Sequence, residues 1–429
     1  MARKKRNTGG PIVNERAPKK DNITFLEDEE ENEFAAAMDQ GHRIDPRAQK
    51  IFIMFVILLA LLVFGLLVPK NLFNEALQNG GSNNGYSFAW FVEDLMYNVN
   101  GLVGVLTGHD DYIPKFSNDI ILYIVIALTG AGLAICGAAY QGSFKNALVS
   151  PSTLGVTNGA TMGMMVWVVF FVADDGSNVG WLDTYAGSDN LIDSILATYA
   201  LSFIEFIGCL LVVGVVLLTV RLAGKGSTSA ILMIIAGQCI GSVMGAVSNC
   251  VRYWYLAQDP YGVKADLLTS LQIASFYRTY SLLDVIAVGI PLIATFAVVM
   301  LLRRRMMLLT FSEDEARTMG VDSKKMQYLV VGLCTLLTAI LISFCGRIGF
   351  VGFLVPHLAR RLVGPNFSYL FPATAVMGAV FVVAAYVLVM MILGPEYETM
   401  VGMFISIFGS GVFLVTALRG KGGARGEFR

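Results

Sequence analysis

Ten apolar runs, most of them close to twenty residues long, constrain this chain more than any other feature. They fall at 51–68, 119–140, 151–173, 195–221, 229–249, 282–302, 327–344, 348–363, 369–393 and 399–418. About 20 helical residues cross the ~30 Å hydrocarbon core of a bilayer, and only helices or closed barrels satisfy their own backbone there. The expectation is an all-α membrane protein of about ten transmembrane helices, the run at 348–363 being short. Composition agrees. The 429 residues are 55% hydrophobic and 15% charged, with mean hydropathy +0.64. A soluble domain carries about 25% charged residues.

Several chemistries are excluded. The six cysteines are scattered through apolar runs with no C-x-x-C pair, and read as small buried hydrophobes. With three histidines and no H-E-x-x-H, no metal site is expected. Gly224-Lys225-Gly226-Ser227 lacks the first glycine and the spacing of a phosphate-binding loop, so the chain does not hold ATP in that way.

Residues 1–48 are polar, with Lys4, Lys5 and Arg6 ahead of an acidic run from Glu27 to Glu31. They read as a disordered cytosolic tail. A transmembrane domain spans 49–420, and 421–429 form a second cytosolic tail. Lysine and arginine set the orientation. With the N-terminus inside, Lys145, Arg221, Lys225, Arg303, Arg304, Arg305, Lys324, Lys325, Arg360 and Arg361 all fall on the cytosolic side. Asp110, Asp111, Asp174, Asp175, Glu396 and Glu398 fall outside. The segment 250–281 is the exception, with Arg252, Lys264 and Arg278 on the outer side.

Gly155, Gly159 and Gly163 recur every four residues, as do Gly237, Gly241 and Gly245, so each set lines one helix face. Such faces let backbones approach in lipid. Packing within the chain explains both; the second set also suits a substrate path or a subunit contact. Glu205, an ionisable group within a span, is a candidate for proton coupling, or a protonated or paired packing group.

Three motifs then stand out. Residues 130–160 read GAGLAICGAAYQGSFKNALVSPSTLGVTNGA, a Gly/Ala helix ending at a polar turn, with Pro151 near the start of the next helix. Residues 312–322 read as a short polar helix, capped by Ser312 with Glu315 at the capping-box position and closed by Gly320. Residues 346–364 place Pro356 and His357 in a short apolar helix with Arg360 and Arg361 at its end. Together these resemble the permease family of type II ABC importers for iron–siderophores, haem and cobalamin. The first motif matches at Gln141, Lys145, Asn146, Leu148, Pro151, Leu154, Gly155, Gly159 and Ala160, with Ala147 where the family has proline. The third matches at Gly346, Ile348, Gly349, Phe350, Val351, Gly352, Pro356, His357, Arg360 and Gly364.

The resemblance implies a type II importer permease fold and a transport subunit that is not itself an enzyme. It implies two ATP-binding partner subunits, which hold ATP and magnesium, so this chain needs no cofactor. It also implies a second permease chain and an extracytoplasmic substrate-binding protein in a bacterial plasma membrane, with no nucleic-acid role. Ser312, Glu313, Glu315, Ala316, Arg317 and Gly320 correspond to ATPase-coupling helices at about 311–323. Gln141, Lys145, Asn146, Pro151, Gly155, Gly159, Gly237, Gly241, Gly245, Gly349, Gly352, Pro356, His357 and Arg360 belong to the motifs or the translocation path. Ser227, Thr228 and Ser229 match the inner gate. The family's outer docking arginines are missing here; Asp119, Glu396 and Glu398 make that face acidic. Docking charge is therefore reversed, or supplied by a different second permease, which favours a heterodimer over a homodimer. Ferric siderophore is the favoured cargo as the commonest among relatives, with haem or cobalamin as alternatives. A proton-driven transporter using Glu205 and a membrane scaffold working through its tail are the rivals.

Overall fold

The computed structural model describes residues 45–67, 113–172 apart from 148, 191–223, 230–258 and 279–419 apart from 310 and 312, with isolated positions at 96–100 and 264–276. Met1–Gln49 and Lys50–Arg429 form separate units. In the first, the described residues open a helix, the Gln49 N–H meeting the Asp45 carbonyl at 3.0 Å. The expected tails, apart from 45–48, lie outside the described residues.

The helices are α1 (Pro46–Leu67), α2 (Ile113–Phe144), α3 (Val156–Phe171), α4 (Leu191–Ala223), α5 (Ala230–Gln258) and α6 (Leu282–Leu308). They continue as α7 (Glu313–Thr318), α8 (Ser323–Cys345), α9 (Val351–Val363), α10 (Phe367–Ile392) and α11 (Val401–Arg419). Short 3-10 turns at Pro151–Leu154 and Pro395–Met400 precede α3 and α11. Ten of these helices answer to the ten expected spans. Eight are long and apolar enough to cross a membrane; α3 and α9, at 16 and 13 residues, are shorter. The expected run at 151–173 is divided because Gly155 takes the left-handed conformation (φ +82°), which separates the 3-10 turn from α3.

α2 is the hub. It packs against α6, α8, α9 and α10. Of its most apolar window 61% is buried, against 11% for α1, which separates centre from rim. Its glycines cut the notches that make this possible. A Cβ on Gly130 would lie 2.3 Å from the Gly378 carbonyl oxygen of α10, and one on Gly132 would lie 2.6 Å from the Leu341 side chain of α8. A Cβ on Gly137 would lie 1.7 Å from the Gly352 carbonyl oxygen of α9. Pro356 has no N–H to offer that carbonyl four residues back. The freed oxygen therefore faces the Gly137 backbone, where a C–H contact partly compensates it.

The Gly155/Gly159/Gly163 face packs within the chain. Cβ atoms on Gly159 and Gly163 would each fall 2.6 Å from α4 backbone, at Cys209 and Glu205 respectively. Hydroxyls add polar ties across the core. Tyr140 on α2 meets Thr335 on α8 at 2.7 Å, and Tyr280 donates to the Phe344 carbonyl at 3.1 Å. Of the cysteines, Cys136, Cys209, Cys334 and Cys345 are buried as expected, while Cys239 and Cys250 are exposed on α5.

The link between α8 and α9 is held by pairing. Ser275 and Gly346 form an antiparallel bridge, and the Phe276 N–H donates to the Cys345 carbonyl at 2.8 Å. Phe350 opens α9 in the left-handed region (φ +63°), a costly conformation for a non-glycine residue.

Candidate functional site

Lys145, Arg303, Arg304, Arg305, Lys324, Lys325, Arg360 and Arg361 all lie at or beside helix ends, and these ends also hold α7. α7 is a six-residue helix. The Val321 N–H donates to the Ala316 carbonyl at 2.9 Å, and the Gly320 N–H to the Arg317 carbonyl at 3.0 Å. With Gly320 at φ +81°, this is the paired Schellman closure that only a left-handed residue completes cheaply. Both residues of the first bond are buried, Ala316 at 0% and Val321 at 7% exposure. The helix is thus pinned by its Ala316 side, and Asp314, Glu315, Arg317, Thr318, Met319 and Gly320 remain exposed.

The next residues anchor it. Asp322 caps α8, accepting from the Lys324 and Lys325 N–H groups at 3.1 and 3.2 Å. Those bonds, chiefly that from Lys325, hold its carboxyl below the usual aspartate range. Lys145 Nζ, at the end of α2, donates to the Phe311 carbonyl. Gln327 on α8 donates to the Ser143 carbonyl at 3.0 Å. Ser312 and the Glu313 side chain lie outside the described residues.

The 346–364 motif forms a packed joint. The buried Gln141 side chain donates to the Phe353 carbonyl of α9 at 3.1 Å. A Cβ on Gly352 would lie 3.1 Å from Pro151, and one on Gly349 2.7 Å from Ser406 on α11. Phe353 lies edge-on to Phe413 of α11 with centroids 4.6 Å apart, and His357 lies 6.3 Å from the same ring. Arg360, 8% exposed, is in the last turn of α9, where a cation favours the helix dipole.

α5 has two kinds of face. Gly237 packs on the 3-10 turn, where a Cβ would lie 2.2 Å from the Thr153 carbonyl oxygen, and Gly241 makes room for Asn158. A Cβ on Gly245 would meet nothing within 4 Å. Beside these, Gln238, Ser242 and Asn249 are exposed along one line of the helix. Spacings of four and seven put them on a single face. Ser242 escaped the sequence reading because one serine in an apolar run is unremarkable; its spacing from Gln238 and Asn249 was the available signal. Glu205 is instead 7% exposed at the α3–α4 crossing beside Gly163.

At the opposite end of α2, the fold gathers acidic and phenolic groups. Tyr386 donates to Glu398 at 2.9 Å. The Tyr123 and Tyr386 rings meet edge-on at 5.2 Å, with Asp119 and Glu398 within electrostatic reach of both. Asp119 and Glu398, distant in sequence, thus belong to one cluster. The Glu396 side chain and the expected gate residues Ser227, Thr228 and Ser229 lie outside the described side chains.

A bundle of apolar helices notched around α2, most of them long enough to cross a bilayer, has the architecture of a multi-pass membrane protein. The model of the FecCD transport family matches residues 88–419, and the chain belongs to that family. It is 29% identical over 300 residues to the cobalamin import system permease protein BtuC of Halobacterium salinarum, covering 67% of this chain and 69% of that one. It is 26% identical over 316 residues to the Fe(3+)-citrate import system permease protein YfmE of Bacillus subtilis, covering 74% and 84% respectively. Its fold matches a solved structure reported as an inward-facing conformation of a metal-chelate type ABC transporter. That match has TM-score 0.63 and 21% identity, over 87% of this chain and 99% of the other.

Proposed function

We propose that this chain is the membrane-spanning permease subunit of an ATP-driven importer that moves a ferric chelate, most simply a ferric siderophore, into the cytoplasm by alternating access. The observation that carries this reading is α7: a short helix locked by its own closure, seated through Ala316 and exposing a mixed-charge edge. A rigid exposed lever of this kind suits an ATPase that pushes on the bundle. In this reading the basic end is cytoplasmic, both termini lie on that side, and two ATPase subunits hold ATP and magnesium. Residues 227–229 are assigned to the inner gate.

The exposed amides of α5 support a path or a second permease chain beside it. A Gln238 amide facing lipid would have no water around it. We assign Gln238, Ser242 and Gly245 to that covered face. The Asp119–Glu398 cluster is assigned to docking of an extracytoplasmic binding protein with a basic surface, and a heterodimer of permeases is favoured over a homodimer. The names of the relatives, iron citrate and cobalamin among them, support a metal chelate as cargo. Glu205 sits in a helix crossing and not on the exposed α5 face, which weighs against a proton-driven mechanism.

The test is uptake into proteoliposomes containing this chain with its co-purifying ATPase and binding protein. ATP-dependent accumulation of a ferric siderophore, unaffected by collapse of the proton gradient, is the expected result. Uptake that needs the proton gradient and no ATPase would overturn the reading. Uptake of cobalamin alone would overturn only the cargo.

A further inference from the structure

One turn at the end of α2 holds two polar links that point in different directions. Lys145 reaches out to the Phe311 carbonyl, two residues ahead of α7. Gln141, fully buried, reaches inward to the Phe353 carbonyl in the first turn of α9. The turn between them is itself bonded, the Asn146 N–H meeting the Gln141 carbonyl at 3.2 Å and the Lys145 N–H meeting that of Gly142 at 3.4 Å. From α9 the contacts continue to α11, where Phe353 meets the Phe413 ring and Phe350 closes over Gly409. Lys145 and Phe350, one at each end of this line, are both non-glycine residues in the left-handed region, at φ +51° and +63°. Such strain persists where the surroundings over-determine it and is typical of elements that switch between arrangements.

We propose that Lys145 and Gln141 are positioning residues forming a strut that passes displacement of the α7 linker to α9 and on to α11. The proposal rests on reading α7 as the ATPase-docking helix. A link through Gln327 and Ser143 runs parallel to the outer half of the strut and ties α8 to the same turn. The strut differs from simple packing because its parts depend on one another: breaking the Gln141 link should uncouple α9 from the turn, and breaking the Lys145 link should loosen the turn from the α7 linker, leaving only the route through Gln327.

Hydrogen exchange on the whole chain in nanodiscs tests this without any ATPase. Lys145→Met keeps the aliphatic stem and removes the donor. It is expected to speed exchange not only at 311–320 but also across 350–357, by about fivefold for loss of one hydrogen bond. Lys145→Arg should restore the slower exchange. Gln141→Met should produce the same change at 350–357, and the double variant no more than either single one. Change confined to 311–320 and 143–149, or additive effects in the double variant, would overturn the strut. In the complete complex, Lys145→Met is expected to raise the ATP consumed per cargo molecule, with Lys145→Arg close to wild type. If wild type shows no ATPase partner, the importer reading fails while the exchange result still decides the mechanical link.

Discussion

Replacing Gly137 by alanine tests the packing logic at the centre of the bundle. The new Cβ would lie 1.7 Å from the Gly352 carbonyl oxygen, 2.5 Å from its carbon and 2.7 Å from its Cα. These are backbone atoms, so no rotamer relieves the clash. Carbon–oxygen contacts settle at about 3.3–3.6 Å, so α9 must withdraw by about 1.6–1.9 Å. That shift takes the Phe353 carbonyl out of reach of Gln141, now 3.1 Å away. Overpacking costs about 1–3 kcal/mol. The lost hydrogen bond adds about 1 kcal/mol. Alanine returns up to about 1 kcal/mol as the better helix former. The net loss is expected to be about 1–4 kcal/mol. Gly245→Ala is the matched control, since its Cβ meets nothing within 4 Å. It should be neutral or stabilising by up to about 1 kcal/mol. Both are read from unfolding of the purified protein in mixed micelles as the dodecyl sulfate fraction rises. A Gly137→Ala variant as stable as wild type, or a Gly245→Ala variant equally damaged, would refute the assigned α2–α9 contact.

Three further outcomes are expected. Asp322→Ala should weaken the start of α8 with a defined pH dependence. Because the folded carboxyl titrates below its ordinary value of about 3.9, the capping benefit is complete above that pH and is lost as the pH falls through the lower folded value. Unfolding of wild type and variant compared from neutral to acid pH should therefore converge only in acid; convergence already near neutrality would contradict the cap. Tyr386→Phe removes a 2.9 Å donor to Glu398 and should cost about 1.5–3 kcal/mol in the same unfolding assay, the range for bonds to a charged group. If Glu396→Lys together with Glu398→Lys leaves transport unchanged, the acidic cluster has no part in docking the binding protein; a loss restored by acidic substitutions on that protein is expected instead.

How much of this was readable from sequence differs by feature. The spans were legible because bilayer thickness fixes the length of an apolar helix, whatever it packs against. The closure of α7 was legible at Gly320 because a Schellman ending is local, needing only a left-handed residue after a polar helix. Gly137 was visible as one glycine among many, but its partner, the Gly352 carbonyl freed by Pro356, lies more than 200 residues away. Lys145 and Phe311, 166 residues apart, and the pairing of Ser275 with Gly346 are likewise not local. No periodicity reports such long-range choices. The left-handed Phe350 was hidden as well, since sequence rules place glycine or asparagine there and tertiary contacts overrule them. On α5, the glycine spacing showed a close-packed face, yet only the fold separates Gly237 and Gly241, which are packed, from Gly245, which is open.

In the proposed importer, α7 is where an ATPase engages this bundle. The most direct measurement is the affinity of the co-purifying ATPase for the chain in nanodiscs, comparing wild type with Glu315→Arg and Gly320→Pro. The first variant reverses charge on the exposed edge, and the second removes the N–H and the φ of +81° that close the helix. Loss of binding by at least about tenfold in both, equivalent to about 1.4 kcal/mol, with dodecyl sulfate unfolding close to wild type for Glu315→Arg, is the expected result. Unchanged affinity in both variants would contradict a docking role for α7.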